Sequence, residues 1–267
     1  MPQPDEDMWV KIEDDFCKKW NFPNLLGAIG GKHMLIQAPP HSGSQYFCYK
    51  KVFSIALSAL VDASYKFIFI DVGAYGTNSD SSIFKRSALG TGLENNTLNI
   101  PTEKQLPGSN TTLPHVIVGD EAFPLRTYLM TPFSRDQARG NEERKVFNYR
   151  LSQVRNVSEN SFGILVRKFR IFEHRLSLSH EHANCVILAA CILHNYLRHD
   201  NCYWSENDLQ VAVSDMQGLR NLERCGGPPP QAALHVRDAF TNYFNSEAGP
   251  VEWQAARIQV GKRNIQN

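Results

Sequence analysis

The sequence of 267 residues contains no apolar run close to the roughly 20 residues that a membrane-spanning helix needs. Its longest apolar stretch, residues 52–62, is interrupted by Ser54 and Ser58. The first seven residues carry three acids and no basic residue, which is the opposite of the start of a signal peptide. These absences predict an intracellular, soluble protein without a membrane partner.

The six cysteines are dispersed and lack the dense spacing of a disulfide scaffold. One stretch is rich in zinc-ligand residue types, namely His180, His182, Cys185, Cys191, His194, His199 and Cys202. No CxxC or HxxxH pair anchors them, and residues 184–197 follow the pattern of an apolar helix. Buried helical side chains are therefore the preferred interpretation, and a structural zinc ion is the alternative.

The net charge of +1 excludes a strongly basic protein, but the charge is unevenly distributed. Residues 139–175 hold nine Lys and Arg against four acids, a local excess of +5 on a helical pattern. Such a helix is typical of proteins that lie on phosphate backbones, and a solvated helix face is an equally good explanation of the charge pattern.

The hydrophobic periodicity predicts alternating strands and helices. We expect a helix over residues 9–20, a strand over 25–37, and a β-hairpin formed by 52–62 and 67–72. A helix near 79–86 and a strand at 115–118 follow, with a loop over 88–113 between them. After a loop over most of 126–140, we expect helices at 142–172, 184–198 and 232–244, the first of them unbroken or interrupted near Val157. This order predicts an α/β or α+β domain whose mixed sheet is flanked by helices.

Three acids lie where the predicted elements could bring carboxylates to one sheet edge. Asp120 ends a short strand, Asp80 begins a helix, and Glu159 lies on the basic helix. Carboxylates that converge would repel one another unless Mg²⁺ or Mn²⁺ neutralised them, and two such ions can activate water and polarise a phosphodiester. Each acid also has an ordinary structural role available: a helix cap for Asp80, a turn for Asp120, and pairing with Arg155 for Glu159.

Several segments resemble the PIF/Harbinger transposase nucleases and the domesticated proteins derived from them. In order, they are residues 27–33 (GAIGGKH), 37–40 (QAPP), 71–76 (DVGAYG), 78–80 (NSD), 118–125 (VGDEAFPL), 147–152 (FNYRLS), 159–165 (ENSFGIL), 193–198 (LHNYLR) and 243–247 (YFNSE). The similarity extends over about residues 9–253 and is far more specific than any single short motif.

The resemblance implies an RNase H-like fold and divalent-metal-dependent DNA cleavage at terminal inverted repeats. The location expected is the nucleus, with the cytoplasm as an additional one. Asp120 and Glu159 match the second and third catalytic acids, and Asp80 matches a further acid assigned to the metal site. In active members the first strand reads Gly-Ala-Ile-Asp-Gly, and its Asp falls on position 30. This chain has Gly30, which has no side chain to offer a metal. No acid lies between Gly27 and Lys51 to replace it.

The function expected is that of a DDE nuclease domain with impaired cleavage, and the alternative is a non-catalytic DNA- or protein-binding scaffold. We expect Arg155, Arg167 and Lys168 to contact DNA. The family implies a Myb-like DNA-binding partner and an upstream helix-turn-helix, which this chain starts too late to include in full. The predicted organisation is a helical lead-in at 1–24, the nuclease domain at 25–200, and an extension at 201–267 with a Pro/Gly linker and one helix.

Overall fold

The computed structural model describes residues 2–199 and 228–249 and has the predicted α/β architecture. The helices in chain order are α1 (Glu6–Trp20), α2 (Asp80–Arg86), α3 (Ala88–Glu94), α4 (Arg135–Ala138), α5 (Glu142–Lys168), α6 (His180–His199) and α7 (Gln231–Asn245), with a 3-10 helix at Arg170–Glu173. The strands are β1 (Leu25–Leu35), β2 (Ser54–Val61), β3 (Phe67–Tyr75), β4 (Lys104–Gln105), β5 (Thr112–Leu113), β6 (Val116–Val118) and β7 (Leu129–Met130).

The main sheet has the strand order β3-β2-β1-β6-β7. β1 pairs with β2 and β2 with β3 in antiparallel fashion, which confirms the predicted hairpin. β6 and β7 add in parallel on the other side of β1. Parallel neighbours require a crossover connection, and the chain between β3 and β6, with α2 and α3, supplies it. Three antiparallel strands extended by parallel ones form an RNase H-like mixed sheet, so the predicted fold class is confirmed.

Helices cover both faces of this sheet because its central strands are apolar on both faces. Every residue of β2 is buried, as is typical of a strand covered on both sides. On one face, the ring of Trp9 in α1 stacks on Phe69 with 6.3 Å between centroids. On the other, Phe162 of α5 packs against Phe67 at 5.8 Å. Among the described helices, none is long and apolar enough to cross a membrane.

Two segments predicted as loops contain regular structure. Residues 88–113 include α3 and the β4–β5 hairpin, and residues 126–140 include β7 and α4. The two glycines of α3 lower its helix propensity, so the sequence pattern does not indicate a helix there. Its first turn is capped by the Ser87 hydroxyl, and Leu89 and Leu93 are buried. Burial of these side chains therefore outweighs the low propensity.

Helix α5 runs unbroken for 27 residues, so the alternative of an interruption near Val157 is wrong. It begins after Asn141, whose side chain caps the first turn. Val157 is fully buried, and the helix stays regular because one side of it packs along the sheet. The predicted extension of this helix to residue 172 is replaced by the separate 3-10 turn.

Helix α7 packs against α5 and completes the core. The ring of Phe244 lies 4.9 Å from that of Phe22 and 6.2 Å from that of Phe147, measured between centroids. All three side chains are fully buried. Helix α7 and the segment that precedes β1 therefore share one aromatic cluster with α5.

The predicted division into residues 1–24, 25–200 and 201–267 stays a prediction. Residues 200–227, which include Gly226 and Gly227 of the predicted linker, lie outside the described residues.

Candidate functional site

Asp120 lies at the carboxyl end of β6, beside the middle of β1. Val118 pairs with Ala28 in the parallel ladder, so Asp120 is roughly level with Gly30. One oxygen of its carboxylate accepts a hydrogen bond from the Ala122 amide at 2.9 Å. Burial raises the pKa of Asp120; the Ala122 amide and Arg155 lower it, and Glu121 and Glu159 raise it. Asp120 is thus a partly buried carboxylate at the sheet edge where ligands of α/β proteins gather.

Asp80 is the first residue of α2, directly after the capping residue Ser79. Burial, followed by the charge of Asp120, raises the pKa of Asp80 to about 6. A Cβ atom built on Gly31 would lie 2.7 Å from its Oδ1 atom, so Asp80 faces the side of β1 on which position 31 points. The sequence placed Asp80 and Asp120 near each other, and the structure brings them within electrostatic reach.

Glu159 lies on α5, where its carboxylate forms an ion pair with Arg155 one turn earlier. The two side chains are 30% and 27% exposed. Both act on the pKa of Asp120, Arg155 by lowering it and Glu159 by raising it. The sequence left open an ion pair with Arg155 as the structural role of Glu159, and the structure contains this ion pair.

Gly30 and Gly31 point to opposite faces of the sheet. A Cβ atom built on Gly30 would lie 2.7 Å from the Ser158 hydroxyl oxygen and 3.4 Å from the Phe162 ring, both on α5. Gly31 points to Asp80 on α2. A side chain at position 30 would therefore face α5, the helix that carries Glu159, whereas Asp80 approaches from the other side of the strand. No sequence pattern indicated Ser158, because its closeness to Gly30 depends on how α5 crosses the sheet.

The profile of the DDE superfamily endonucleases matches residues 29–195, which include all of these positions. The chain belongs to this family. It is similar to "Protein ALP1-like" of Arabidopsis thaliana, with 27% identity over 190 residues, or 70% of this chain and 46% of that protein. It is also similar to "Putative nuclease HARBI1" of Bos taurus and of Homo sapiens, with 26% and 25% identity over 205 residues, or 75% of this chain and 54% of each relative.

These matches confirm the predicted resemblance to Harbinger-derived DDE endonucleases. The chain spans about half the length of the curated relatives it matches. No solved structure matches it.

DDE superfamily endonucleases generally use divalent metal ions, and the acids of this chain fit such ions only in part. Asp80 and Asp120 are hard oxygen donors of the kind that Mg²⁺ and Mn²⁺ prefer. Glu159 is held by Arg155, and position 30 has no side chain. Within the described residues, no three His, Cys, Asp or Glu side chains form a group that could hold a metal ion. Asp80 and Asp120 are the residues that would hold a cation, and the described part of the chain lacks the donors of a two-ion centre.

The basic residues predicted to contact DNA are not brought together. Arg155 lies with the acids, whereas Arg167 and Lys168 are exposed at the other end of the helix. Twelve residues separate Arg155 from Arg167, which is about 18 Å along a helix axis. The local excess of charge on α5 is therefore spread along its length and does not form one patch.

Two of the zinc-ligand residue types on α6, His194 and Cys191, are buried in the fold. The ring Nε2 atom of His194 lies 2.8 Å from the Tyr65 carbonyl oxygen, and burial raises the pKa of the Cys191 thiol. In the described part of α6, no three of these side chains form a metal-binding group. Cys202 lies outside the described residues.

Proposed function

We propose that this chain is a Harbinger-type DDE nuclease domain that binds DNA and whose phosphodiester cleavage is impaired by the loss of the first catalytic acid. The observation that supports the proposal is the position of Gly30. A side chain at that position would point at the helix that carries Glu159, beside Asp120. This is where the family pattern calls for a carboxylate, and the chain has only a backbone there.

Asp120 and Glu159 are the remaining catalytic acids in this proposal, and Asp80 and Asp120 are the residues that would hold Mg²⁺ or Mn²⁺. When bound, such ions polarise the phosphodiester and activate water. With position 30 empty and Glu159 paired to Arg155, negative charge is missing on the α5 side of the site. Because charge placement supplies much of the rate of such reactions, we expect cleavage to be slower by orders of magnitude than in a complete site.

The nuclease-related family supports DNA as the ligand. We also propose a nuclear location and, from the resemblance, recruitment by a Myb-like DNA-binding protein. The second candidate function is a non-catalytic DNA- or protein-binding scaffold. The ion pair between Arg155 and Glu159 favours it, because it neutralises one of the acids that cleavage would need.

A cleavage assay with Mn²⁺ on supercoiled DNA separates the two functions. We expect Gly30→Asp to raise the nicking rate by about tenfold or more, since it restores the missing carboxylate. Ser158→Ala should be combined with it, because the Ser158 hydroxyl occupies the space that the new side chain requires.

The matched control is Ser158→Ala alone, which opens the same space on α5 without adding a carboxylate at position 30. It should leave the nicking rate unchanged. If Gly30→Asp with Ser158→Ala folds, binds DNA and Mn²⁺, and still does not cleave, the scaffold function is the correct one.

A further inference from the structure

A tight turn between β1 and β2 is fixed by backbone hydrogen bonds. The Cys48 amide donates to the Val52 carbonyl, and the Lys51 amide donates to the Cys48 carbonyl, both at 2.9 Å. On the two arms, the rings of Phe47 and Phe53 meet edge to face with 5.2 Å between their centres. The turn is therefore the tip of an ordered hairpin, and its side chains hold defined positions.

The hairpin points aromatic rings to solvent. Side chains alternate along its first arm, where Tyr46 and Cys48 are buried, whereas Phe47 and Tyr49 are 41% and 40% exposed. Tyr75, at the end of β3, is also exposed, and its ring meets the Tyr46 ring edge-on at 4.9 Å. Three of the four exposed aromatic side chains in the described residues thus lie together. The term hairpin surface is used below for Phe47, Tyr49, Lys50, Lys51 and Tyr75.

The hairpin surface is basic and has no acid to neutralise it. From Leu25 to Val61 the chain holds three lysines and no acidic residue. Lys50 and Lys51 are exposed, and the Lys50 amine lies 5.8 Å from the centre of the Tyr49 ring. Among the residues that the structure describes, neither lysine is within ion-pair distance of a carboxylate. Exposed rings combined with free cations are typical of surfaces that bind single-stranded nucleic acid.

The first arm of the hairpin is tied to the segment that leads into α2. The Gln45 carbonyl accepts hydrogen bonds from the Thr77 amide at 3.4 Å and from the Thr77 hydroxyl at 3.0 Å. Thr77 precedes Asp80 by three residues. The hairpin surface and the start of the helix that carries Asp80 are therefore held next to each other.

The tip of the hairpin lies over the face of β1 that Asp80 approaches. The Tyr49 ring meets the His33 ring edge-on at 5.7 Å. The register between β1 and β2 is regular over residues 28–35, so His33 shares a face with position 31, about 7 Å further along the strand. Asp80 approaches position 31 on that face. A DNA strand that passes Asp80 along β1 would therefore reach Tyr49 next.

We propose that the hairpin surface binds unpaired bases of the DNA strand, next to the phosphodiester that the acids face. The bases stack on the exposed rings, and Lys50 and Lys51 contact the phosphates between them. Every base has a flat apolar face, so stacking selects unpaired DNA over duplex DNA without reading its sequence. The inference rests on the proposed binding of DNA by this domain.

A comparison of a duplex that carries a single-stranded overhang with a blunt duplex tests the proposal. The measurement is the fluorescence anisotropy of each labelled DNA, titrated with the full chain, and the wild type should bind the overhang DNA more tightly. Tyr49→Ala should weaken binding of the overhang DNA about tenfold, the scale of one lost base stack, and leave binding of the blunt duplex unchanged. Tyr49→Phe keeps the ring and should retain the affinity. The matched control is Tyr196→Ala, which removes an exposed tyrosine from α6.

The rings and the lysines of the hairpin surface should differ in salt dependence. Changing Lys50 and Lys51 to Gln should make the slope of log Kd against log salt shallower by about one unit, because phosphate contacts release condensed counterions. Tyr49→Ala should leave the slope unchanged, since stacking releases no counterion. If both variants flatten the slope equally, Tyr49 only holds Lys50 in place, and the stacking of bases is overturned.

A thermal melt without DNA shows whether the variants fold. If Tyr49→Ala does not fold, Phe47→Ala decides, because it removes the other exposed ring of the hairpin. Overhang DNA bound equally by these variants and by the wild type would overturn the hairpin surface while leaving DNA binding intact. An equal loss of affinity for the blunt duplex would overturn the stacking of unpaired bases. A wild-type chain that binds neither DNA would overturn both the hairpin surface and the proposed function.

Discussion

The hydroxyl of Ser158 occupies the space that a side chain on Gly30 would require. A Cβ atom at position 30 would lie 2.7 Å from the Ser158 oxygen and 3.2 Å from the Ser158 Cβ atom, closer than side chains normally pack. The Ser158 hydroxyl donates a hydrogen bond to the Arg155 carbonyl at 2.9 Å, which holds it on the sheet side of α5. Residue 30 is thus packed directly against α5, and a larger side chain there requires Ser158 to move.

This contact predicts a coupling between the two positions that stability measurements can detect. We expect Gly30→Ala to be more favourable in a Ser158→Ala background than in the wild type, by about 1 kcal/mol in the free energy of unfolding. The measurement is a double-mutant cycle by urea denaturation. Gly31→Ala with Ser158→Ala is the control and should be additive, because position 31 points to Asp80. If the effects at positions 30 and 158 are also additive, α5 moves to accommodate the larger side chain without a loss in the free energy of unfolding.

Binding of a divalent ion should depend on Asp120. We expect Mn²⁺ to bind the folded chain and not the unfolded one, so the melting temperature of the wild type should rise with Mn²⁺ concentration at fixed ionic strength. Asp120→Asn should lose most of this rise, because it removes one of the two neighbouring carboxylates. Asp71→Asn, on β3, is the control and should retain it. If Asp120→Asn and the wild type respond alike, Asp120 is a turn residue and not a metal ligand.

Asp80 should make the apo protein less stable as the pH rises. Its pKa is raised to about 6 in the folded state from an ordinary value of 3.8, so the native state binds more protons than the unfolded one between these values. Its contribution to stability is therefore greatest below about pH 4 and is lost as the pH rises through about 6. At neutral pH, we expect Asp80→Asn to recover a few kcal/mol, at about 1.4 kcal/mol for each pKa unit.

The check on Asp80 is the difference in melting temperature between Asp80→Asn and the wild type across this pH range. In an Asp120→Asn background the difference should shrink but persist, because burial is the larger cause of the raised pKa of Asp80 and the charge of Asp120 the smaller. A difference that does not change with pH would contradict the burial of this carboxylate.

The basic residues of α5 should act on DNA in two separate ways. Changing Arg167 and Lys168 to Gln should make the salt slope of DNA affinity shallower by up to about two units, one for each phosphate contact. Arg155→Gln should have a smaller effect on the slope, since Arg155 is already paired with Glu159. Two exposed cations on other helices, Lys11 and Arg135, are changed to Gln as the control. An unchanged slope for the Arg167 and Lys168 variant would remove the end of α5 from the interface.

Several elements were predictable from the sequence because their signals are local. The apolar run of β2, the hairpin to β3 and the helix near residues 79–86 all follow from neighbouring residues, and the structure contains each of them, with Ser79 and not Asp80 as the helix cap. The short strand before Asp120 was equally clear. The helix at residues 88–94 was not, because its stability comes from burial of its leucines against the core and not from its own propensity.

The sequence by itself determined which residues are available for chemistry: Asp120, Glu159 and Asp80 as candidate acids, and Gly30 where the resemblance predicts another. Only the tertiary structure decided how they are arranged. Asp80 approaches β1 from one face and Glu159 from the other, Arg155 neutralises Glu159, and Ser158 occupies the space at position 30. Periodicity specifies the side of a strand on which a residue lies, but not which helix covers that side or at what height. Both depend on packing between residues far apart in the sequence, such as Gly30 and Ser158, and a local pattern contains no information about such contacts.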